Sequence, residues 1–395
     1  MRLVETHVIS SIFNEDYEVN YREISKKVNK SSILVVGGGG SIGRAVTREL
    51  YRLKPAKLHV IDLSENNLVE LVRSIRSSIG YGVDDFKTVP IDVGSQEFNA
   101  FIASEKPYDY IINLSALKHV RSEKDQFSLM RLTRVNIFNS LILLQIAEAQ
   151  RATKFFSVST DKAANPVNFM GASKLIMEKF LLEKRSVCPV SMARFANVSF
   201  SDGSLLDGFR YRIANRDPIS APKDISRYFI SDADAAQLCI LSTFLGEDSD
   251  IFFPAHSYKI KLIKFYDLAY QYINDLGYEV FECESENQAR SEASSLIKAG
   301  KWPCYFFNTD TTGEKPYEEF YTSSDTIDLN RFDAVGIIKL ETTSGNNFIL
   351  DKFFSNVKNL LDRGCWTKED LLVEYQRVLP EFAHLELGKN LDQRM

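Results

Sequence analysis

The stretch Ser32-Ile-Leu-Val-Val-Gly-Gly-Gly-Gly-Ser-Ile-Gly43 decides the fold. Ile33 to Val36 is an apolar run of the length of a buried strand, and the residues through Leu50 carry apolar side chains at helical spacing. Glycines at 37, 40 and 43 give GxxGxxG spacing, and Gly39 partly satisfies GxGxxG as well. The early glycines permit a tight turn and close approach of backbone to a pyrophosphate. Gly43 lets the helix pack on the strand, and its N-terminus, Ser41 and Ile42, faces the phosphates. A glycine run alone is equally a flexible turn; the strand before it and the helix after it point to a dinucleotide site.

Working outward, Leu58 to Ile61 reads as the next strand and ends at Asp62, 19 residues beyond Gly43. An acid at that distance accepts both ribose hydroxyls of an adenosine and disfavours a 2′-phosphate. Asp62 therefore favours NAD, while Ser64 and the neighbouring Lys and Arg residues leave NADP open. A third strand ends at Asp92-Val93, where an acid can hold the adenine amino group or simply close a turn. Tyr110 to Leu114 is a fourth, followed by Ser115, Ala116, Leu117, Lys118 and His119. The small residues there leave room for a dinucleotide across the strand ends; Lys118 and His119 are otherwise solvated turn residues. A helix is expected over Val135 to Ala149, with Asn136 at its start facing the strand ends.

The strand Phe155 to Val158 runs into Ser159, Thr160, Asp161 and Lys162, then a turn around Pro166 and a helix. Met170 and Lys174, four residues apart, share one face of that helix. Hydroxyls, an acid and a base at a strand's carboxyl end make this stretch the candidate reaction centre. Val190 to Phe195 is the next strand. Arg227 lies among turns, where its planar donors suit a diphosphate, the alternative being a surface salt bridge. Asp232 to Leu245 reads as a capped helix. Residues 281–302 look like a charged helical insertion or excursion, residues 311–315 read as a second glycine loop, and residues 346–383 read as closing helices.

The composition, 44% hydrophobic and 26% charged over 395 residues, is that of a globular protein. A net charge of -5 argues against nucleic acid, which wants a basic face. The five cysteines (188, 239, 283, 304 and 365) form no CxxC pair and the histidines no HxxxH pair, so neither disulfides nor a metal site is expected. Glu5, Glu15 and Asp16 interrupt any signal-peptide layout, and no run of about 18 apolar residues exists. A cytoplasmic protein without a membrane span is the expectation.

Six segments in order resemble the extended short-chain dehydrogenase/reductase family: VGGGGSIG (36–43), LSALKHV (114–120), STDKAANPVNFMGASK (159–174), RFANV (194–198), DISRYFI (224–230) and TGEKPYEE (312–319). Within that family the resemblance, over about residues 32–335, is to the nucleotide-sugar 4,6-dehydratases of bacterial polysaccharide biosynthesis, typified by UDP-N-acetylglucosamine 4,6-dehydratase. It implies an α/β fold, a Rossmann-type doubly wound parallel sheet with a smaller, interleaved C-terminal substrate-binding lobe. The divisions expected are a helical lead-in (1–31), the dinucleotide-binding core (32–200), the substrate lobe with returning core segments (201–340) and C-terminal helices (341–395).

The resemblance also implies NAD or NADP, tightly bound and recycled, a UDP-sugar substrate and a homo-oligomer. Asp161 would protonate the departing C6 hydroxyl, Lys162 would take the C5 proton, and Thr160 would hydrogen-bond the C4 oxygen. Lys174 would bind the nicotinamide ribose, with Ser159 beside it. Lys118, Met170, Asn197, Arg227 and Glu314 would line the substrate site. Two departures stand out. Met170 occupies the tyrosine position of a YxxxK pair, and a thioether does no acid–base work; one branch of these dehydratases resembles this chain in carrying methionine there. Thr311 stands where relatives often have arginine, one cation fewer for the nucleotide. The alternatives are a 4-epimerase on the same scaffold, or a non-catalytic dinucleotide-binding module, for which Met170 is the best argument.

Overall fold

The computed structural model describes residues 11–255, 261–310, 312–340, 347–384 and 386. Its strands are, in chain order, β1 (Ser32–Val36), β2 (Lys57–Asp62), β3 (Asp85–Pro90), β4 (Tyr110–Asn113), β5 (Lys154–Thr160), β6 (Val190–Phe195), β7 (Asn197–Val198), β8 (Ile219–Pro222), β9 (Ser226–Ile230), β10 (Asp250–Pro254), β11 (Leu262–Lys264), β12 (Glu279–Glu282), β13 (Lys301–Phe307), β14 (Thr326–Asp328) and β15 (Val335–Lys339).

The main sheet has nine strands in the order β14-β15-β10-β6-β5-β4-β1-β2-β3. From β3 through β10 every pairing is parallel, and β15 closes antiparallel on β10. Strands covered by helices on both faces read as continuous apolar runs rather than alternating ones. β1 and β4 show this, with Ile33 to Val36 and Tyr110 to Ile112 all buried. From β1 the chain builds outward to β2 and β3, then crosses back to β4 on the other side. The strand order therefore reverses between β1 and β4, and the crevice at their carboxyl ends is where such sheets take ligands. The sequence expectation of an α/β, Rossmann-type sheet is what the structure shows.

One expectation needs correction and another gains detail. The helix expected over Val135 to Ala149 is the end of a longer assembly: an α-helix Gln126–Thr133, a π-helical turn Arg134–Phe138 containing Asn136, and an α-helix Asn139–Gln150. Asp125 starts it, accepting the amides of Phe127 and Ser128. Residues 281–302 are helical as expected but belong to a second sheet. The helix Glu286–Lys298 is the crossover between parallel strands β12 and β13, which with β8 make a second sheet. Trp302, Phe209, Tyr272 and Phe306 give that lobe a core of its own.

The helix Asn14–Val28 is tied to the sheet by the buried Asp16, whose carboxylate accepts the amides of Asp333 and Ala334, both at 2.8 Å. The closing helices Asn347–Arg363 and Lys368–Val378 pack on the helix Phe169–Lys184, Phe353 against Phe180 and Tyr375 against Phe169. No helix among the described residues is long and apolar enough to cross a membrane.

Candidate active site

The glycine turn is built by exclusion. Gly37 has φ +80°, and a Cβ on it would lie 2.5 Å from the Ser115 amide nitrogen. A Cβ at 43 would lie 2.1 Å from the Gly37 carbonyl, so the helix Ser41–Arg52 reaches its strand only without a side chain there. At 39 a Cβ would come within 2.8 Å of the Asp62 carboxyl carbon. Asp62 is itself held: one oxygen accepts the Gly39 amide at 2.8 Å, the other the Ser64 amide at 2.9 Å. A cleft of about 190 Å³ opens here, lined by Gly37, Gly40, Asp62, Asp92, Val93 and Leu114 to Ala116 among others. A glycine cradle beside a fixed carboxylate fits the adenosine half of a dinucleotide. Arg131, which the sequence did not single out, also lines the cleft and pairs with Asp92 at 3.2 Å. One arginine on an amphipathic helix carries no signal of its own.

The other residues expected at the cofactor have different neighbours. The Asn136 side chain accepts the Leu117 amide (2.9 Å) and donates to the Leu117 carbonyl (3.0 Å) and the Ser173 hydroxyl (2.9 Å). It clamps the loop after β4 to the helix Phe169–Lys184, so its effect on any ligand passes through that loop. Ser159, also expected at the cofactor, donates at 2.5 Å to Glu178, which is buried in a bidentate pair with Arg194 at 3.0 and 2.7 Å. That network ties β5 and β6 to the helix behind them. Lys118 is exposed and donates to Ser201 at 3.2 Å. Ser41 lines a second cavity, of about 380 Å³, with Arg44, Ser199 and Arg210. The Asp202 amide donates to the Ser41 hydroxyl at 2.9 Å, joining the loop after β7 to the glycine turn.

At the carboxyl end of β5 the candidate hydroxyl, acid and base lie together. Asp161 is buried, and one of its oxygens accepts the Thr160 hydroxyl (2.9 Å), the Lys162 amide (2.8 Å) and the Lys162 ammonium (3.0 Å). Lys174 lies behind them, wholly buried, donating to the Val158 carbonyl at 3.0 Å. Burial pulls its ammonium down to about 7, against the opposing charge of Glu178. Met170 is buried in the core, and its amide donates to Glu123 at 2.9 Å. The other Glu123 oxygen meets His384 at 3.1 Å, so the C-terminal segment reaches the start of this helix.

Arg227 is no surface salt bridge. It is buried, donating to the carbonyls of Ser226 and Lys315, both at 2.9 Å, and facing Glu318 at 3.6 Å. Here it is a strut of the second glycine loop, which brings Glu318 to 3.9 Å from the Lys162 ammonium. Glu314 accepts from Thr309 at 2.6 Å. Thr311 lies outside the described residues. The buried Asn197 amide nitrogen and Ser199 hydroxyl have no hydrogen-bond partner among the described residues. Buried donors are rarely left so; Ser199 lines the second cavity, and Asn197 lies two residues before it. Glu318, Glu123 and Arg194 escaped the sequence reading, although Glu318 and Arg194 sit inside segments quoted above.

The sheet and the cleft at its switch point define a Rossmann-type α/β protein. More particularly, the protein belongs to the polysaccharide biosynthesis protein family, whose model matches residues 33–339. It is 27% identical over 371 residues to the uncharacterized membrane protein MJ1061 of Methanocaldococcus jannaschii, covering 92% of this chain and 100% of that one. It is 26% identical over 262 residues to the inverting UDP-N-acetylglucosamine 4,6-dehydratase of Campylobacter jejuni (64% of this chain, 74% of that one). Proteins named UDP-glucose 4-epimerase match too, so the chain is related to nucleotide-sugar dehydratases and epimerases alike. It spans 44% of the length of another relative, the capsular polysaccharide biosynthesis protein CapD of Staphylococcus aureus. Among solved structures, Pen from Bacillus thuringiensis shares the fold at a TM-score of 0.63 and 22% identity, over 81% of this chain and 90% of that one.

Proposed function

We propose that the protein is a nucleotide-sugar 4,6-dehydratase that converts a UDP-N-acetylhexosamine, UDP-N-acetylglucosamine first among them, to the 4-keto-6-deoxy sugar. The observation that carries this is the hydrogen-bonded run Thr160–Asp161–Lys162 at the end of β5. A nicotinamide dinucleotide, NAD in preference because of Asp62, would lie across the glycine turn and, when bound, accept hydride from C4 and return it to C6. The chain's own residues handle the protons. Thr160 faces the C4 oxygen and passes its proton 2.9 Å onward to Asp161, which supports dispensing with a tyrosine at position 170. Asp161 delivers a proton to the C6 hydroxyl, which departs as water. Lys162 takes the proton from C5, acidified by the adjacent ketone, and later gives one back. The count closes: the C4 hydroxyl proton leaves in the water, and the C5 proton is exchanged. Lys174 binds the nicotinamide ribose, Asn197 offers its unpaired amide to the nucleotide sugar, and Arg227 shapes the loop around it.

An epimerase needs no acid and base at C6 and C5, so the Asp161–Lys162 pair favours dehydration. Mass spectrometry of the product formed from UDP-N-acetylglucosamine in deuterated water tests this. Loss of one water with deuterium gained at C5 supports the dehydratase; an epimer of unchanged mass refutes it.

A further inference from the structure

The second glycine loop crosses the reaction centre and is fastened on three sides. Asn168 donates to the Gly313 carbonyl at 2.7 Å, the Ser226 amide donates to the Pro316 carbonyl at 2.8 Å, and Arg194 donates to the Phe320 carbonyl at 2.8 Å. Between these anchors the chain runs in turns and bends. Glu318 and Phe320 are buried while Glu319 is exposed. The Glu318 carboxyl thus faces the Lys162 and Arg227 nitrogens at 3.9 and 3.6 Å, with the Lys315 ammonium at 4.0 Å.

The Lys162 ammonium therefore stands between two carboxylates, Asp161 at 3.0 Å and Glu318 at 3.9 Å. An ammonium has no lone pair, so a lysine acts as a base only after giving up a proton. Asp161 is occupied with Thr160 and the C6 hydroxyl. Building on the dehydratase reading, we propose that Glu318 is the proton partner of Lys162, a positioning residue that receives the ammonium's proton and frees the amine for C5. Once the 3.9 Å gap closes to hydrogen-bond length, the N–H bond of Lys162 breaks as an O–H bond forms on Glu318, and the amine keeps the electron pair. That amine takes the C5 proton while the C5 electrons form the double bond to C6 and the C6–O bond breaks toward Asp161. On the return Lys162 gives its proton to C5, and Glu318 then returns its own to the amine. Burial, helped by the Asp161 charge, lifts Glu318 above the usual carboxylate range, while Lys162, Arg227 and Lys315 oppose the shift. Such a carboxyl binds a proton more readily than a surface one.

The test is Glu318→Gln, which keeps shape and hydrogen bonding but accepts no proton. With UDP-N-acetylglucosamine, kcat should fall about 100-fold at unchanged KM, a size typical of one acid–base group. The isotope effect with C5-deuterated substrate should rise, and the rate should recover as pH increases and solvent removes the proton instead. A wild-type rate overturns the inference, as does a fall with an unchanged C5 isotope effect and no recovery at high pH. Should the glutamine variant not fold, Glu318→Asp carries the test. Its shorter carboxyl should lower kcat and raise the C5 isotope effect, and an unchanged isotope effect overturns the inference. If the unaltered protein turns over no UDP-sugar, the dehydratase reading falls and this inference with it; turnover with a normal Glu318→Gln sinks the inference alone.

Discussion

Lys162 and Lys174 are two lysines of one stretch with opposite surroundings. Lys162 has its charge balanced by Asp161 and Glu318, whereas Lys174 is enclosed, with a backbone carbonyl and the more distant Glu178 for company. Lys162→Ala should abolish turnover and C5 exchange yet leave nucleotide bound, seen as nucleotide released when the purified variant is denatured. Normal turnover in that variant would remove Lys162 from the base role. Lys174 gives a pH signature. Its folded value near 7 lies below the unfolded lysine value of about 10.4, so between them the unfolded chain holds more protons and stability rises with pH. Urea unfolding of the nucleotide-free protein at pH 7 and pH 9 should show a gain of about 2 kcal/mol from this group, absent in Lys174→Met. The sequence revealed both lysines by their place after a strand, but not what balances each. Glu318 is 156 residues beyond Lys162, and its companion Glu319 is identical in type; only the direction of the side chains separates them.

Among the elements, parallel strands were the most legible because burial on both faces makes them plain apolar runs. The helix around Asn136 was not. Apolar spacing runs on through a π-helical turn, which adds a residue to the coil without changing composition, and so the expected helix began in the middle of the real one. Asp125 was a readable start, since its side chain caps the first turn. β12 was missed for another reason: glutamates at both ends and half-buried Val280 and Phe281 make a short edge strand look like charged surface. The clamp that Asn136 makes has a measurable worth. Asn136→Ala leaves the Leu117 amide and carbonyl without their partner and should cost about 1–3 kcal/mol in urea unfolding, with activity falling too. Arg194→Met strands the buried Glu178 and should cost more, about 3–5 kcal/mol. Equal stability of either variant and wild type would contradict these assignments.

Across the whole molecule, the site is assembled from segments far apart in the chain. The glycine turn and the ends of β2 to β4 form one cleft, the end of β5 brings Thr160, Asp161 and Lys162 together, and the chain after Gly313 sets Glu318 beside them. The family segments were legible because each packs a distinctive turn next to a strand, while the contacts between segments had no local signature. The closing helices illustrate this. Their helical spacing was plain, but nothing in it announced that Tyr375 would meet Thr133 at 2.9 Å or that His384 would meet Glu123 beside Met170. Tyr375→Phe should lower stability by about 1 kcal/mol, read by thermal or urea melting, without moving the C5 isotope effect. The proposed reaction itself predicts one transfer that no binding module or epimerase performs. UDP-N-acetylglucosamine carrying deuterium at C4 and carbon-13 in its sugar ring, mixed with unlabelled substrate and turned over by the purified protein, should yield a 4-keto-6-deoxy product in which only the carbon-13 molecules carry deuterium in the methyl group. Label retained at C4 of an epimer, or scattered among molecules that began unlabelled, would contradict dehydration by internal transfer.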